Sequence, residues 1–195
     1  MDKRIVVGVT GASGAPYLIR FLRLLAEAEI EIHLTVSALG KRLLAEESGI
    51  TTVNADSLGL SDCGELLVVH NSNDLGASIA SGTFLHDGMI VLPCSSNTLG
   101  AIASGVTHSL VQRAAAVTLK ERRTLVLAHR ETPVSLIDIQ NLSRVAQAGG
   151  IIAPLSPGFY MNPESIDDIV DFMVGKLADA LSVKHALPVR WKSNM

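Results

Sequence analysis

The 195-residue sequence has little net charge and few aromatic side chains. Sixteen Lys and Arg residues against nineteen Asp and Glu residues give a net charge of −3, which offers no basic surface for a nucleic-acid backbone. Aromatic residues make up 4% of the chain, too few for the stacking platforms that bind single strands. We therefore expect no nucleic acid among its partners.

Disulfides and long apolar runs are also missing from the sequence. The two cysteines, Cys63 and Cys94, are too few for a disulfide framework and do not form a C-x-x-C pair, as is typical of reducing compartments. The apolar run after Arg4 ends before Thr10, too early for the core of a signal peptide, and no later run reaches the roughly 18 apolar residues of a membrane span. We predict a cytoplasmic protein that does not bind membranes.

Hydrophobic residues make up 48% of the chain, and short runs rich in Val and Ile alternate with stretches of helical period. This pattern is typical of βαβ units with a parallel sheet covered on both faces. The predicted strands are Arg4–Val9, Glu31–Val36, Leu66–Val69, Met89–Leu92, Thr124–Ala128 and Gly150–Ala153. The predicted helices are Pro16–Glu29, Ala38–Ser48, Thr98–Ser104, Ser109–Glu121, Ser135–Ala148 and Pro163–Leu181. The length fits a single α/β domain spanning residues 1–195.

In an open parallel sheet, ligands bind beyond the carboxyl ends of the strands, so the turns after the strands are the candidate functional segments. The turn after the first strand contains Gly11, Ser13 and Gly14 and directly precedes a helix. Glycines let a backbone approach a ligand closely, and a helix N-terminus offers free N–H groups, so the turn predicts a phosphate site. A tight turn in which Ser13 caps the helix is the alternative.

Polar residues also follow the second and fourth predicted strands. Ser37 follows the second strand in the sequence context of a helix cap. Four consecutive small polar residues, Ser95, Ser96, Asn97 and Thr98, follow the fourth strand and begin a helix. A cap requires only one of them. We therefore interpret the run as a cradle for a phosphate or for the polar edge of a planar heterocycle.

Charged and phenolic side chains follow the fifth and sixth predicted strands. Arg130 and Glu131 are adjacent, and such a pair can bind a phosphate through the guanidinium and move a proton through the carboxylate. Tyr160 follows the sixth strand, and Lys176 lies sixteen residues further on in the last helix. A surface ion pair, a loop tyrosine and a solvated lysine are the alternatives that these residues leave open.

Neither a metal centre nor a serine nucleophile is predicted from the sequence. The six histidines have no His-x-x-x-His or carboxylate-linked spacing of metal ligands. No G-x-S-x-G elbow occurs either.

Six motifs occur in the order and spacing of the UbiX-type flavin prenyltransferases, which essentially the whole chain resembles. They are Gly11–Gly14, Pro93–Thr98, Arg113–Ala115, Leu119–Arg123, Leu125–Leu127 with Arg130–Pro133, and Pro157–Tyr160. The stretch from Leu119 to Pro133 is the most specific. The resemblance implies a three-layer Rossmann-like or flavodoxin-like domain with a mainly parallel sheet, assembled into a homododecamer with sites at subunit contacts.

The resemblance also implies a reaction. Reduced FMN and dimethylallyl monophosphate combine without a metal, and the prenyl group becomes bonded to flavin N5 and C6. The product, prenylated FMN, serves a UbiD-type decarboxylase in ubiquinone synthesis or aromatic-acid breakdown.

The family's functional positions map onto individual residues of this chain. The positions that contact FMN correspond to Gly11, Ala12, Ser13, Ser37, Ser95, Ser96, Asn97, Thr98 and Arg130. The groups that hold the prenyl phosphate correspond to Lys120, Arg130, Tyr160 and Lys176. The positions with catalytic roles correspond to Ser13, Glu47, Lys120 and Glu131. Their cations would stabilise charge on the departing phosphate as a metal does elsewhere, and Glu131 would accept a proton.

The chain departs from the family pattern at two positions. Ala116 stands where many relatives carry Asp, and Asp138 replaces a frequent His. Trp191 is a candidate to shelter the allyl cation, or alternatively to anchor the tail at an oligomer contact.

Two other functions compete with flavin prenylation. A flavin-dependent cysteine decarboxylase of the same fold is one, because Pro93–Thr98 also resembles that group's Pro-Ala-Ser-Ala-Asn-Thr signature. That group carries a catalytic His-Ile step where this chain has Ser78–Ile79, which counts against it. A non-catalytic flavin carrier is the other, and it has no use for the group of Lys120, Glu131, Tyr160 and Lys176.

Overall fold

The computed structural model describes residues 3–187, and one parallel sheet of six strands runs through them. The strands are β1 (Arg4–Val9), β2 (Glu31–Val36), β3 (Leu67–His70), β4 (Gly88–Cys94), β5 (Leu125–His129) and β6 (Ile151–Ile152). Their order is β3-β2-β1-β4-β5-β6, and every neighbouring pair is parallel. In this doubly wound, Rossmann-like order the chain reverses its direction across the sheet between β1 and β4. The predicted fold class is confirmed.

Helices cover both faces of the sheet and enclose a hydrophobic core on each. They are α1 (Ala15–Glu27), α2 (Ala38–Ser48), α3 (Ser96–Ala103), α4 (Leu110–Lys120), α5 (Leu136–Gln147) and α6 (Ile166–Ala180), with short 3-10 helices at Ser61–Leu66 and Ser78–Ala80. Buried residues of α1, α2 and α6 form the first core, and those of α3, α4 and α5 form the second. The result is a three-layer arrangement of helices, sheet and helices.

The apolar runs of the strands follow from burial on both faces. In β1, Ile5 and Val7 belong to the first core, whereas Val6 belongs to the second. Because successive side chains of a strand point to opposite faces, a strand between two cores needs apolar residues at consecutive positions. This explains why the strands were recognisable in the sequence.

The predicted bounds of β1, β2 and α2 agree with the structure, and the other elements differ by at most three residues at either end. The differences have local causes in the helix caps. α3 begins at Ser96 because the preceding Ser95 accepts a hydrogen bond from the N–H of Thr98 (3.4 Å). α6 begins three residues later than predicted because Ser165 caps it and accepts a hydrogen bond from the N–H of Asp168 (3.1 Å).

Two sequence predictions concern membranes and the C-terminal segment. Within residues 3–187, no helix combines the length and the apolarity needed to cross a membrane. Trp191 lies outside the described residues, so its role stays a prediction.

Histidines line the second face of the sheet near its β2–β3 side and near the end of β5. His33 Nε2 lies 2.7 Å from Glu31 Oε1, and His33 Nδ1 lies 2.8 Å from His70 Nε2. Burial lowers the pKa of His33, His70, His86 and His129 from the ordinary value of 6.5. The folded protein therefore holds these imidazoles neutral at pH values where the unfolded chain binds protons.

This difference predicts a pH-dependent stability. Because the unfolded state binds more protons than the folded state below about pH 6.5, the free energy of unfolding falls as the pH drops from 7.5 towards 5.5. Urea unfolding across this range measures the effect. Replacing His86 with Gln is expected to reduce the pH dependence, whereas the exposed-site control His108→Gln is expected to leave it unchanged. Equal pH dependence in wild type and His86→Gln would contradict the assignment.

Candidate functional site

Thr10 joins the loops that follow β1 and β4, at the point where the strand order reverses. Its hydroxyl donates a hydrogen bond to the carbonyl of Pro93 (2.9 Å) and accepts one from the N–H of Ser95 (2.9 Å). The Thr10 N–H also donates to the carbonyl of Pro93 (3.2 Å). Thr10 is buried, so these bonds are shielded from water. They hold the glycine loop and the polar run side by side.

The loop between β1 and α1 needs glycine at two positions because other segments approach it closely. Gly14 has φ 145°, and a Cβ there would lie 3.2 Å from Leu155 Cδ1 and 3.3 Å from Pro93 Cβ. A Cβ at Gly11 would lie 2.6 Å from Leu39 Cβ, at the start of α2. The chain after β6, the end of β4 and the start of α2 therefore meet around this loop.

The N-terminus of α1 is occupied by a side chain of the protein itself. Glu47 Oε2 accepts hydrogen bonds from the N–H groups of Gly14 (3.0 Å) and Ala15 (2.8 Å). The phosphate that the sequence predicts at this helix end stays a prediction. The carboxylate of Glu47, from the last turn of α2, compensates the positive end of the α1 dipole through these two N–H groups.

Ser37 and Ser95 both cap helices, as the simpler alternative for each predicted. Ser37 Oγ accepts a hydrogen bond from the N–H of Gly40 (3.0 Å), and Ser95 Oγ accepts from Thr98 as described above. A capping hydroxyl accepts through its oxygen and keeps its own proton to donate. Capping is therefore compatible with binding a ligand. Asn97 is exposed, whereas Ser13 and Ser96 are partly buried.

Ser96, the first residue of α3, lies between His129 and Glu131. Its Oγ lies 3.0 Å from His129 Nε2 and 3.4 Å from Glu131 Oε2. The N–H of Arg130 donates to the carbonyl of Cys94 (3.1 Å), which fixes the backbone of this turn against the end of β4. The guanidinium of Arg130 is exposed and forms no ion pair within residues 3–187.

His129 is a site residue that the sequence interpretation missed. It is 3% exposed, and burial is the main cause that lowers its pKa, while the nearby carboxylates of Asp138 and Glu131 oppose that shift. Its position, the last residue of a strand just before Arg130 and Glu131, was the available signal. In an apolar strand, a histidine at the carboxyl end lies where ligands bind.

Tyr160 lies in the segment between β6 and α6, with 57% of its surface exposed. Its ring meets the edge of Phe172 with 5.6 Å between the ring centroids and an interplanar angle of 88°. Phe172 belongs to α6, so the tyrosine is held by the helix that follows it.

Two predicted phosphate-binding residues lie away from this group in a single chain. Lys120 ends α4 and pairs with Glu121, at the amino edge of the sheet, whereas Glu131 follows β5 at the carboxyl edge. The five residues of β5 separate the two edges by about 16 Å. Lys176 is exposed and lies about 16 Å along α6 from the helix cap Ser165.

The structure therefore brings together most, but not all, of the predicted site residues. The residues at the carboxyl edge are Gly11, Ala12, Ser13, Ser37, Glu47, Ser95, Ser96, Asn97, Thr98, Arg130 and Glu131. One chain on its own does not bring Lys120 into this group.

Small polar loops at the switch point of a parallel sheet define an α/β protein that binds a nucleotide-like ligand. Residues 1–178 match the family model Flavoprotein, so the chain belongs to the flavoproteins. A flavin prenyltransferase UbiX of Thermoplasma acidophilum is 42% identical over 188 residues, which are 96% of this chain and 99% of the relative.

Solved structures agree with the sequence relatives. The crystal structure of AnUbiX (PadA1) in complex with FMN and dimethylallyl pyrophosphate has a TM-score of 0.85 and 38% identity, covering 98% of this chain and all of that one. A dodecameric FMN-dependent UbiX-like decarboxylase from Escherichia coli has a TM-score of 0.88 and 39% identity, covering 97% and 100%. The chain belongs to the UbiX family of flavin prenyltransferases, and it is an enzyme. The resemblance found in its motifs is confirmed.

The central position of Thr10 leads to a prediction. Thr10→Val keeps the shape but removes the hydroxyl, which leaves the N–H of Ser95 without an acceptor, so we expect the free energy of unfolding to fall by about 1–3 kcal/mol. Thr10→Ser, the matched control, keeps the hydroxyl and both hydrogen bonds. Urea unfolding of the three proteins measures the effect, and equal losses in both variants would assign it to packing instead.

Proposed function

We propose that this enzyme joins the dimethylallyl group of dimethylallyl monophosphate to N5 and C6 of reduced FMN, without a metal ion. The product, prenylated FMN, would serve a UbiD-type decarboxylase. The observation that carries the proposal is the group of hydroxyl side chains, Arg130 and Glu131 at the carboxyl edge of one sheet. It is supported by AnUbiX (PadA1), a relative that binds FMN and dimethylallyl pyrophosphate.

The residues at this edge fit a flavin mononucleotide. The close approach of other segments around Gly11 and Gly14 leaves only backbone and small side chains to meet a ligand at this loop. The Ser37 hydroxyl keeps its proton to donate, whereas the Ser95 hydroxyl donates to Thr98 Oγ1 (3.3 Å). The exposed amide of Asn97 offers both a donor and an acceptor to a heterocycle. The exposed guanidinium of Arg130 is free of ion pairs within the described residues and suits a phosphate.

Each charged residue has a defined task in the proposed reaction. When bound, reduced FMN supplies the nucleophilic nitrogen and carbon. Arg130, Tyr160, Lys120 and Lys176 stabilise the negative charge that grows on the phosphate as its bond to the allylic carbon breaks. Glu131 accepts a proton at its carboxylate and is held by the N–H of Thr132, which donates to Oε1 (3.1 Å). Glu47 keeps the Ser13 loop in place through its bonds to Gly14 and Ala15.

The position of Lys120 implies that copies of the chain share the site. Because β5 separates Lys120 from Glu131 within one chain, Lys120 has to act in the site of a neighbouring copy. The Escherichia coli relative is dodecameric, which supports a homo-oligomer here. Lys120 is well suited to such a contact, since 64% of its side chain is exposed.

A cysteine decarboxylase function finds less support. Ser78 and Ile79 stand where that group carries a catalytic His-Ile step, and Ile79 is buried in the second core. A flavin carrier function would leave Lys120, Glu131, Tyr160 and Lys176 without a task. The experiments below separate it from the enzyme.

The direct test is incubation of the protein with reduced FMN and dimethylallyl monophosphate under anaerobic conditions. Mass spectrometry of the flavin is expected to find a gain of one isoprene unit. A parallel reaction with the pyrophosphate compares the two prenyl donors. An unchanged flavin mass with both donors would reject the proposal and would favour a carrier.

Glu131→Gln isolates the proton transfer from binding. The amide keeps the size of the side chain but takes up no proton, so we expect FMN affinity to persist and prenylation to slow by about 100-fold or more. The matched control is Glu65→Gln, which changes an exposed glutamate just before β3, at the opposite edge of the sheet. Wild-type turnover in Glu131→Gln would remove this residue from the mechanism.

The shared site is tested by mixing two inactive variants. Lys120→Ala and Glu131→Gln are each expected to lose prenylation when purified alone. In co-expressed mixed oligomers, a site that takes Lys120 from one copy and Glu131 from another is intact in about one quarter of cases. Recovery of activity towards that level supports the shared site, and absence of recovery in verified mixed oligomers contradicts it.

A further inference from the structure

A second group able to carry a proton lies directly behind Glu131. His129 is buried under α3 and α5, and its Nε2 lies 3.0 Å from Ser96 Oγ, which in turn lies 3.4 Å from Glu131 Oε2. Ser96 thus links a carboxylate at the rim to an imidazole inside the protein. A third group, the Asp138 carboxylate at the start of α5, lies near His129 and is held by two hydrogen bonds from Ser135.

We propose that Ser96 and His129 form a proton relay that takes the proton from the Glu131 carboxyl group and can return it. The inference rests on the proposed function, in which Glu131 accepts a proton, because the relay then transfers that proton to His129. His129 acts through Ser96 and Glu131 and is a positioning residue, whereas Ser96 also corresponds to a position that contacts FMN in the family.

The relay needs only the atoms that are in contact. When Glu131 is ionised, it can accept the hydroxyl proton of Ser96. When Glu131 has taken a proton, its O–H donates to Ser96 Oγ, and the Ser96 hydroxyl turns to donate to His129 Nε2. Transfer along this line breaks the O–H bonds of Glu131 and Ser96, forms a new O–H bond on Ser96 and forms an N–H bond on His129. Glu131 becomes a carboxylate again and Ser96 is unchanged.

The groups around His129 favour reversible transfer. Burial keeps the imidazole neutral and able to accept, since it lowers the pKa of His129. The charged groups that face it are Glu131, in the loop after β5, and Asp138 on α5. Two hydrogen bonds from Ser135 lower the pKa of Asp138, so this carboxylate stays ionised and compensates an imidazolium. Cys94, paired with His129 in the sheet, stays neutral because burial raises the pKa of its thiol to about 12.

In the proposed site, Glu131 needs a proton acceptor other than solvent. Glu131 is exposed in a single chain, but a flavin and a neighbouring copy would cover it. A carboxyl group cut off from water cannot exchange its proton quickly with solvent. An internal acceptor at hydrogen-bond distance removes that obstacle during turnover.

The test compares the pH profile of kcat for wild type with those of His129→Gln and Ser96→Ala. Between pH 5 and pH 8, the wild-type kcat is expected to fall at acid pH as His129 becomes protonated and can no longer accept. Both variants are expected to lower kcat at saturating FMN by about tenfold or more and to lose this acid limb. FMN affinity is measured for each variant, so that an effect on kcat is separated from an effect on binding. Ser96→Thr, which keeps the hydroxyl, is the matched comparison and should retain the acid limb of the pH profile.

A second measurement does not depend on turnover. NMR of protein labelled at histidine follows the titration of His129 in wild type and in Glu131→Gln. Removal of the negative charge is expected to move the His129 titration to lower pH. Because His129 is buried, urea unfolding verifies that His129→Gln is folded, and Ser96→Ala gives an independent test at a less buried position.

The outcomes separate this inference from the proposed function. The relay is rejected if wild type prenylates FMN and both variants keep the wild-type kcat and its acid limb. It is also rejected if Glu131→Gln leaves the titration of His129 unchanged. If wild type leaves the flavin mass unchanged, the prenyltransferase proposal itself is rejected. Loss of the acid limb in both variants together with the shifted titration supports the relay.

Discussion

The hydrogen bonds of Thr10 at the switch point between β1 and β4 are the constraint on which the site depends. At this point the helices that follow the two strands lie on opposite faces of the sheet, so a crevice opens between their loops. Thr10 binds both the carbonyl of Pro93 and the N–H of Ser95, which holds the walls of this crevice at a fixed separation. The bonds are buried, and a buried polar group without its partner is costly. Folding of the sheet therefore also forms the rim of the site.

The protein uses its own charges to organise this rim before any ligand binds. Glu47 occupies the N–H groups at the start of α1, and serine hydroxyls occupy those of α2 and α3. As a result, contacts within the chain hold the glycine loop. The exposed guanidinium of Arg130 and the hydroxyl proton of Ser37 are then donors available to an anion. Preorganised donors of this kind stabilise developing charge without reorganisation.

One of the predicted phosphate-binding residues, Lys120, lies at the opposite edge of a single chain from the acid–base group. Glu131, Ser96 and His129 lie together at the carboxyl edge, whereas Lys120 lies at the amino edge beyond the length of β5. Both sets are required by the proposed reaction, so assembly of several copies would complete a site that each copy holds in part. This arrangement would make activity depend on the oligomer as well as on the fold.

The sheet, the helices and the residues at the strand ends could be predicted from the sequence. Strands buried on both faces require consecutive apolar residues, and Ser37 marks the start of α2, so β1, β2 and α2 were predicted with the bounds that the structure has. Contacts between side chains of different elements are known only from the tertiary structure. The hydrogen bond of Glu47 to Gly14 joins residues 33 positions apart, and Ser96 contacts His129 across the same separation along the chain. Lys120 is far from Glu131 although the two residues are only eleven positions apart. Local spacing cannot predict such contacts, because they depend on the order in which strands are placed in the sheet and on which edge each turn occupies.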